Sequence, residues 1–394
     1  MNTNWIGPNL VIGDAAKGGN FYLRNDIVEN VWDELKKGNS VLLAAPRRVG
    51  KTSIMRYMEE HPIENYKLIF SNIQGIHSAN EFYERIYTLL LNCLNKTKKA
   101  INWFDNFKNK IKITNISLNG IAFETNPPDF LKATNDLLIE INEIEEIENI
   151  ILLLDELPEV LFRINKEDAI SILKNLRHWR QQPEMNKKVK FVLAGSIGIH
   201  YVVDKIEKRN TDLNDLRIID FNPLSENEAY KYIDWATKDK NTTVTYNFEL
   251  KEHLLSKIQY FVPYFINLLL DEINKQAKKT DNPEITTQSI DAAFGTVVKH
   301  NDYFKDWKQR LQDYMPKEDF DFVNEILIYT AYKGHISLQE IYDKAVKHNK
   351  TADYMDFIED LEKDGYITEV ENEYRFMSPL LSAFWKKNNP IYNT

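Results

Sequence analysis

Cysteine is nearly absent: Cys93 is the only one in 394 residues. No disulfide can form within the chain, and a cysteine-based zinc site has no second thiolate to use. The eight histidines show no metal-like pairing. No apolar run approaches the roughly 20 residues of a membrane-spanning helix. Met1–Leu10 lacks a basic stretch followed by an apolar one, so no signal peptide is evident. A reducing, cytoplasmic setting is the expectation. Positive charge is not in excess either. Fifty Lys and Arg face 59 Asp and Glu, a net charge of −9. That removes any general attraction for nucleic acid or anionic membranes and leaves only a local basic patch. Internal repeats and low-complexity tracts are missing as well.

What remains is an ordinary globular composition, 43% hydrophobic and 28% charged. At about 150 residues per domain, two or three domains are expected. Val41-Leu42-Leu43-Ala44, bounded by Gly38-Asn39 and Pro46, reads as a buried strand, and Lys51–Glu60 as a helix stopped by Pro62. Lys67–Ile73, Ile150–Leu154 and Phe191–Ala194 are further strand candidates. Helices are expected after Ser78, over Asp129–Asn149 and over Ala169–Gln181. A hairpin is expected over Ile111–Phe123 around Asn119-Gly120. Strands alternating with helices argue for an α/β fold, a parallel sheet wrapped by helices. After Asn222-Pro223 the pattern turns mostly helical. Capping boxes are expected at Ser78, Ser225 and Ser337, and a small hairpin at Tyr366–Phe376.

Between the first strand and its helix, Ala45-Pro46-Arg47-Arg48-Val49-Gly50-Lys51-Thr52 matches G-x-x-x-x-G-K-[ST] except at its first position. Each part has a physical task. Gly50 lets the backbone turn where a side chain would block phosphates. Loop amides and the helix N-terminus offer positive charge to anionic oxygens. Lys51 reaches the β- and γ-phosphates of ATP or ADP, and Thr52 supplies a hydroxyl to Mg2+. Ala45 is tolerable if its φ is negative. Arg47 and Arg48 could add charge near the phosphates or serve only as surface residues.

Ile151–Leu154 runs into Asp155-Glu156, two carboxylates at the carboxyl end of a buried strand. In open α/β sheets that edge binds ligands. Asp155 would hold the magnesium shell, and Glu156 would orient or deprotonate the attacking water. Gly195-Ser196 ends the next strand. Ser196 could touch the γ-phosphate, or the pair could be a simple turn. Arg177 and Arg180, on the helix between these strands, could face a phosphate or the surface.

The run from Ala45 to Ser53 resembles the P-R-R-x-G-K-T-S loop of the archaeal-type branch of the STAND ATPases, relatives of the AAA+ class. Other segments agree in order. Phe21-Tyr22-Leu23-Arg24 resembles the element near the adenine, and Leu153–Glu156 the acidic strand. Leu193–Ser196 resembles the sensor strand, Pro223-Leu224-Ser225 the start of the helical lid, and Pro263-Tyr264-Phe265-Ile266 the lid proline motif. Phe376–Leu381 with Trp385 looks like the end of the family's winged-helix domain. The resemblance implies a P-loop ATPase core over 1–222, a lid over 223–310 and a winged helix over 311–394. It also implies nucleotide contacts from Tyr22, Arg24, Ser53 and Pro263. Two departures stand out: Ala45 for a frequent glycine, and Phe261-Val262 before the lid proline. No arginine finger matches a motif, so slow hydrolysis and a regulatory switch are the expectation. A DNA-binding protein of initiator or transposition-helper type and a non-hydrolysing nucleotide sensor are the alternatives.

The candidate recognition helix, Ala352–Asp364, carries six acids (Asp353, Asp356, Glu359, Asp360, Glu362 and Asp364) against Lys363. Over 331–394, eight Lys and Arg face eleven Asp and Glu. That points to a protein partner or self-association rather than to nucleic acid. The basic stretch Lys96–Lys112, with Trp103 and Phe104, is the better nucleic-acid candidate.

Overall fold

The apolar runs become the strands of one parallel sheet in the computed structural model, which describes residues 5–95, 113–117, 120–123, 127–145, 147–195, 199, 202–203, 206 and 211–390. The chain divides into two bodies: Leu23–Ala45 with Lys51–Phe221, and Met1–Tyr22 with Pro46–Gly50 and Asn222–Thr394.

In the first body the order is α1 (Asn25–Lys36), β1 (Val41–Ala44), α2 (Lys51–Glu60), β2 (Tyr66–Asn72) and α3 (Ala79–Asn95). A hairpin of β3 (Ile113–Ser117) and β4 (Gly120–Phe123) follows, then α4 (Phe130–Glu143) and β5 (Asn149–Asp155). The body ends with α5 (Leu157–Arg163), α6 (Lys166–Gln181), α7 (Pro183–Asn186), β6 (Val189–Gly195) and β7 (Arg217–Ile218). The sheet runs β2-β5-β6-β1-β7, every neighbour parallel. Its central strands are buried on both faces, which is why they read as unbroken apolar runs: Leu42, Leu43 and Ile151–Leu154 are fully buried. Helix α3 covers part of it through Phe82, Ile86, Leu89 and Leu90, and α6 does so through Trp179. The register sets Asn72 beside Asp155 and Ala44 beside Gly195, so the strands' carboxyl ends line up along one edge.

Within the hairpin expected at 111–123, β3 and β4 pair antiparallel with Ser117 opposite Gly120, while 111–112 and 118–119 lie outside the described residues. Lys96–Lys112, including Trp103 and Phe104, lies outside the described residues. Strand β7 gave no sequence signal: it is two residues long and Ile218 is exposed.

The second body holds α8 (Glu226–Ala236), α9 (Phe248–Ser256), α10 (Pro263–Thr280), α11 (Thr287–Lys299) and α12 (Lys305–Tyr314). After them come α13 (Lys317–Lys333), β8 (Ile336–Ser337), α14 (Leu338–Lys347), α15 (Tyr354–Lys363), β9 (Ile367–Val370), β10 (Glu373–Phe376) and α16 (Pro379–Asn388). The last three strands pair antiparallel in the order β8-β10-β9. Both expected capping boxes in this body form: Ser225 with Glu228 and Ser337 with Glu340. At Ser78 only half forms. Its hydroxyl accepts from Glu81 N at 3.2 Å, while the Glu81 carboxylate takes His77 N instead. Phe265, Phe304, Trp307, Tyr366 and Trp385 build an aromatic core, with Trp307 edge-on to Tyr366 at 5.2 Å. Among the described residues no helix is long and apolar enough to cross a membrane.

Candidate nucleotide-binding site

Strand β1 ends at Ala44 and helix α2 begins at Lys51, so residues 45–50 form the loop that the sequence motif requires. Two loop residues adopt positive φ: Arg48 at 67° and Gly50 at 107°. Ala45 is not one of them, so replacing the motif's first glycine imposes no backbone strain. At Gly50 a side chain would be strained whatever the space around it.

In the first body four sequence-predicted groups come together. Lys51 Nζ donates to the Ala45 carbonyl at 2.6 Å, folding its ammonium back over the loop. The Thr52 hydroxyl donates to Asp155 Oδ2 at 2.6 Å, although 103 positions separate them. The second Asp155 oxygen accepts from Glu156 N at 3.1 Å. Asp155 is fully buried, and that burial raises its pKa. The Thr52 hydrogen bond and Lys51 oppose the rise, and Glu156 adds to it. Glu156 takes a left-handed backbone at φ 66°, an uncommon choice for a non-glycine residue and one that clusters at functional sites. Immediately after it, α5 opens with Leu157-Pro158. Gly195 on β6 lies so close that a Cβ there would come within 2.4 Å of Pro158. Glycine at that strand end thus answers a packing need, which explains Gly195 without explaining Ser196. Ser196 lies outside the described residues.

These groups suit a magnesium–nucleotide ligand. A hydroxyl and a carboxylate, both hard oxygen ligands, meet where a cation could take the place of the hydrogen bond between them. Asp155 carries a burial cost that a cation would relieve. The Lys51 ammonium points back to the Ala45 carbonyl at the start of the loop. Among the described residues no group of three His, Cys, Asp or Glu could hold a metal by protein ligands alone.

The loop's middle, Pro46–Gly50, belongs to the second body. There Arg48 Nη1 donates to the Gly13 carbonyl at 2.7 Å, and Nη2 lies 3.3 Å from Asp306. The guanidinium also stands 4.8 Å from the centre of the Tyr264 ring. Burial pushes the Tyr264 phenol up to about 12, with Arg48 opposing, and its hydroxyl donates to the Tyr303 carbonyl. Arg48 is therefore neither idle nor turned wholly outward. Gly13 and Asp306 escaped the sequence reading, and Tyr264 entered it only as part of the lid proline motif, because nothing in local spacing links them to Arg48.

The remaining expected contacts are placed as follows. Ser53 is buried in the first turn of α2. Tyr22 packs edge-on against Tyr232 at 5.1 Å and Trp235 at 5.4 Å in the second body. Pro263 is the first residue of α10. Arg24 precedes α1 in the first body and pairs with Asp26 at 3.3 Å. Arg177 and Arg180 turn out to be structural. Arg177 pairs with Asp212 at 3.1 Å, and Arg180 grips both Asp215 oxygens at 2.7 and 2.8 Å. Both fasten the segment leading into β7.

The sequence matches no protein-family model and no curated protein. Solved structures do resemble the fold. The Walker-type ATPase PABY2304 of Pyrococcus abyssi matches with TM-score 0.56 at 18% identity, covering 94% of this chain and 97% of that one. The Aeropyrum pernix ORC2 protein, solved as ADPNP–ADP complexes, matches with TM-score 0.52 at 13% identity, covering 93% and 92%. The five-stranded parallel sheet wrapped by helices is thus an α/β fold that this chain shares with the Walker-type ATPase and the ORC2 protein.

Proposed function

We propose that this protein is an ATP-driven regulatory switch: it binds magnesium–ATP at Lys51, Thr52 and Asp155 and hydrolyses it slowly through Glu156. The observation that carries the reading is the Thr52–Asp155 contact at 2.6 Å, with Lys51 beside it and Glu156 next along the strand end. In this reading Lys51 leaves the Ala45 carbonyl for the β- and γ-phosphate oxygens, and the loop amides with the α2 N-terminus share the remaining charge. Thr52 and Asp155 hold the metal, which when bound neutralises charge on the phosphates. Glu156, half-buried, orients the attacking water and takes its proton.

The switch character follows from the resemblance carried by Ala45–Ser53; within the second body Arg48 is engaged by Gly13, Tyr264 and Asp306. The likeness to ORC2, solved with ADPNP and ADP, supports nucleotide as the ligand. The acids of α15 speak against duplex DNA as the partner of the C-terminal segment, which this reading assigns to a winged helix docking protein. Glu156→Gln tests the proposal. ATP affinity should stay within about threefold while phosphate release falls by 10²-fold or more, the usual range for removing a general base. Unchanged phosphate release would overturn the catalytic assignment.

A further inference from the structure

On helix α14 the residues Leu338, Tyr342 and Val346 are 40%, 42% and 52% exposed, while Ile341 and Ala345 on the other side are fully buried. The exposed three recur every fourth residue and so form one stripe along the helix. Isolated apolar residues on a surface need no explanation, but a contiguous stripe does. Tyr354, at the start of α15, extends it: its ring stands edge-on to Tyr342 at 5.7 Å.

The charge around this stripe is strongly one-sided. Between positions 338 and 373 there are eleven Asp and Glu and four Lys. Three of those lysines are taken up by acids of α13: Lys344 and Lys347 reach Glu325 at 3.5 and 2.8 Å, and Lys350 pairs with Asp319. The fourth, Lys363, pairs with Glu359 at 3.1 Å. Asp343, Asp356, Glu369 and Glu371 are exposed. Glu359, Glu362 and Glu369 stand near Tyr374 together with Tyr354, which ties the acidic surface to the extended stripe.

We infer that this stripe is a docking surface for an amphipathic helix of another protein, one with apolar residues at four-residue spacing flanked by Lys and Arg. An amphipathic helix docks by laying its own apolar face, anchors three and four residues apart, on an apolar surface such as this stripe. The acidic border selects a basic partner and steers its approach. The same border disfavours a second copy of this chain, because a two-fold pairing sets the acids against each other. It disfavours duplex DNA for the same reason. The inference rests on α13–α15 and the β9–β10 pair and does not depend on the nucleotide reading.

Fluorescence anisotropy on the full chain at about 150 mM salt tests it with three labelled peptides of about 18 residues. One is a Leu/Lys helix with leucines on a single face, the second has Glu for Lys, and the third scrambles the Leu/Lys order. The patterned basic helix should bind at least tenfold tighter than either control. Val346→Asp should weaken it at least tenfold, even though that substitution adds attraction for a basic peptide. Tyr342→Glu should act likewise, whereas Phe248→Ser, at an exposed aromatic outside the stripe, should change nothing. Equal binding of the patterned and scrambled peptides, or unchanged or tighter binding to Val346→Asp, would reduce the surface to plain charge attraction and overturn the inference. A dimer in sedimentation that Val346→Asp dissolves would overturn it as well, since a second copy would then cover the stripe.

Discussion

Asp155 is a carboxylate taken out of water, and its pKa is raised chiefly by burial. The proton must leave before a cation can take its place on Oδ2, so metal affinity and protonation are linked. The sign follows: with the pKa raised above the ordinary 3.8, the proton competes at higher pH than it would at a surface aspartate. Magnesium–ATP affinity should therefore begin to fall at a pH above that value. It should then lose about tenfold per unit below the raised pKa. A titration series across pH, compared with Asp155→Asn, checks this. The wild type should show the fall, and the variant should bind weakly at every pH. Lys51, Thr52, Asp155 and Glu156 were all legible in the sequence, because a buried strand followed by a Gly-Lys-Thr turn and a strand ending in two acids are local patterns. The left-handed backbone at Glu156 and Arg48 was not legible, since residue identity there gives no hint of positive φ. Nor were the partners of Arg48, which lie 35 and 258 positions away in sequence.

At the scale of elements, helix α15 carries a cost that can be measured. Asp360 is pushed up to about 7, first by burial and then by Asp364, with Asp356 and Glu359 adding and Lys363 opposing. The folded state thus holds the proton more tightly than the unfolded chain, whose value is near 3.8. Stability from this group is fully present below about pH 4 and lost as pH rises toward 7. Asp360→Asn removes the titration. The variant should match the wild type near pH 4 and exceed it at pH 8, by on the order of 2 kcal/mol or several degrees in Tm. Thermal melts at the two pH values read this directly, and equal Tm differences at both would contradict the assignment. The elements themselves were well marked where both faces are buried or a capping box opens a helix, as at β5, α8 and α14. Strand β7 was invisible because two exposed residues carry no period; pairing with β1 holds it, with an ion pair from Arg217 to Glu34 at 3.8 Å beside it. Arg177 and Arg180 were ambiguous for a related reason. Their partners Asp212 and Asp215 lie on a loop without periodicity, so only the folded chain reveals that both arginines are structural.

For the molecule as a whole, a chain with net charge −9 must gather enough positive potential at one point to hold a polyphosphate. In the proposed reading it does so with main-chain amides, a helix start and Lys51 rather than with bulk charge. Removing the ammonium takes away charge-assisted contacts worth on the order of 1.5–3 kcal/mol, or roughly 10- to 150-fold in affinity. Calorimetric titration of magnesium–ATP into the wild type and into Lys51→Ala measures that difference. The account predicts one site per chain in the wild type and a loss of that size in the variant. Equal affinity in both proteins, or no binding to the wild type at millimolar nucleotide, would contradict it.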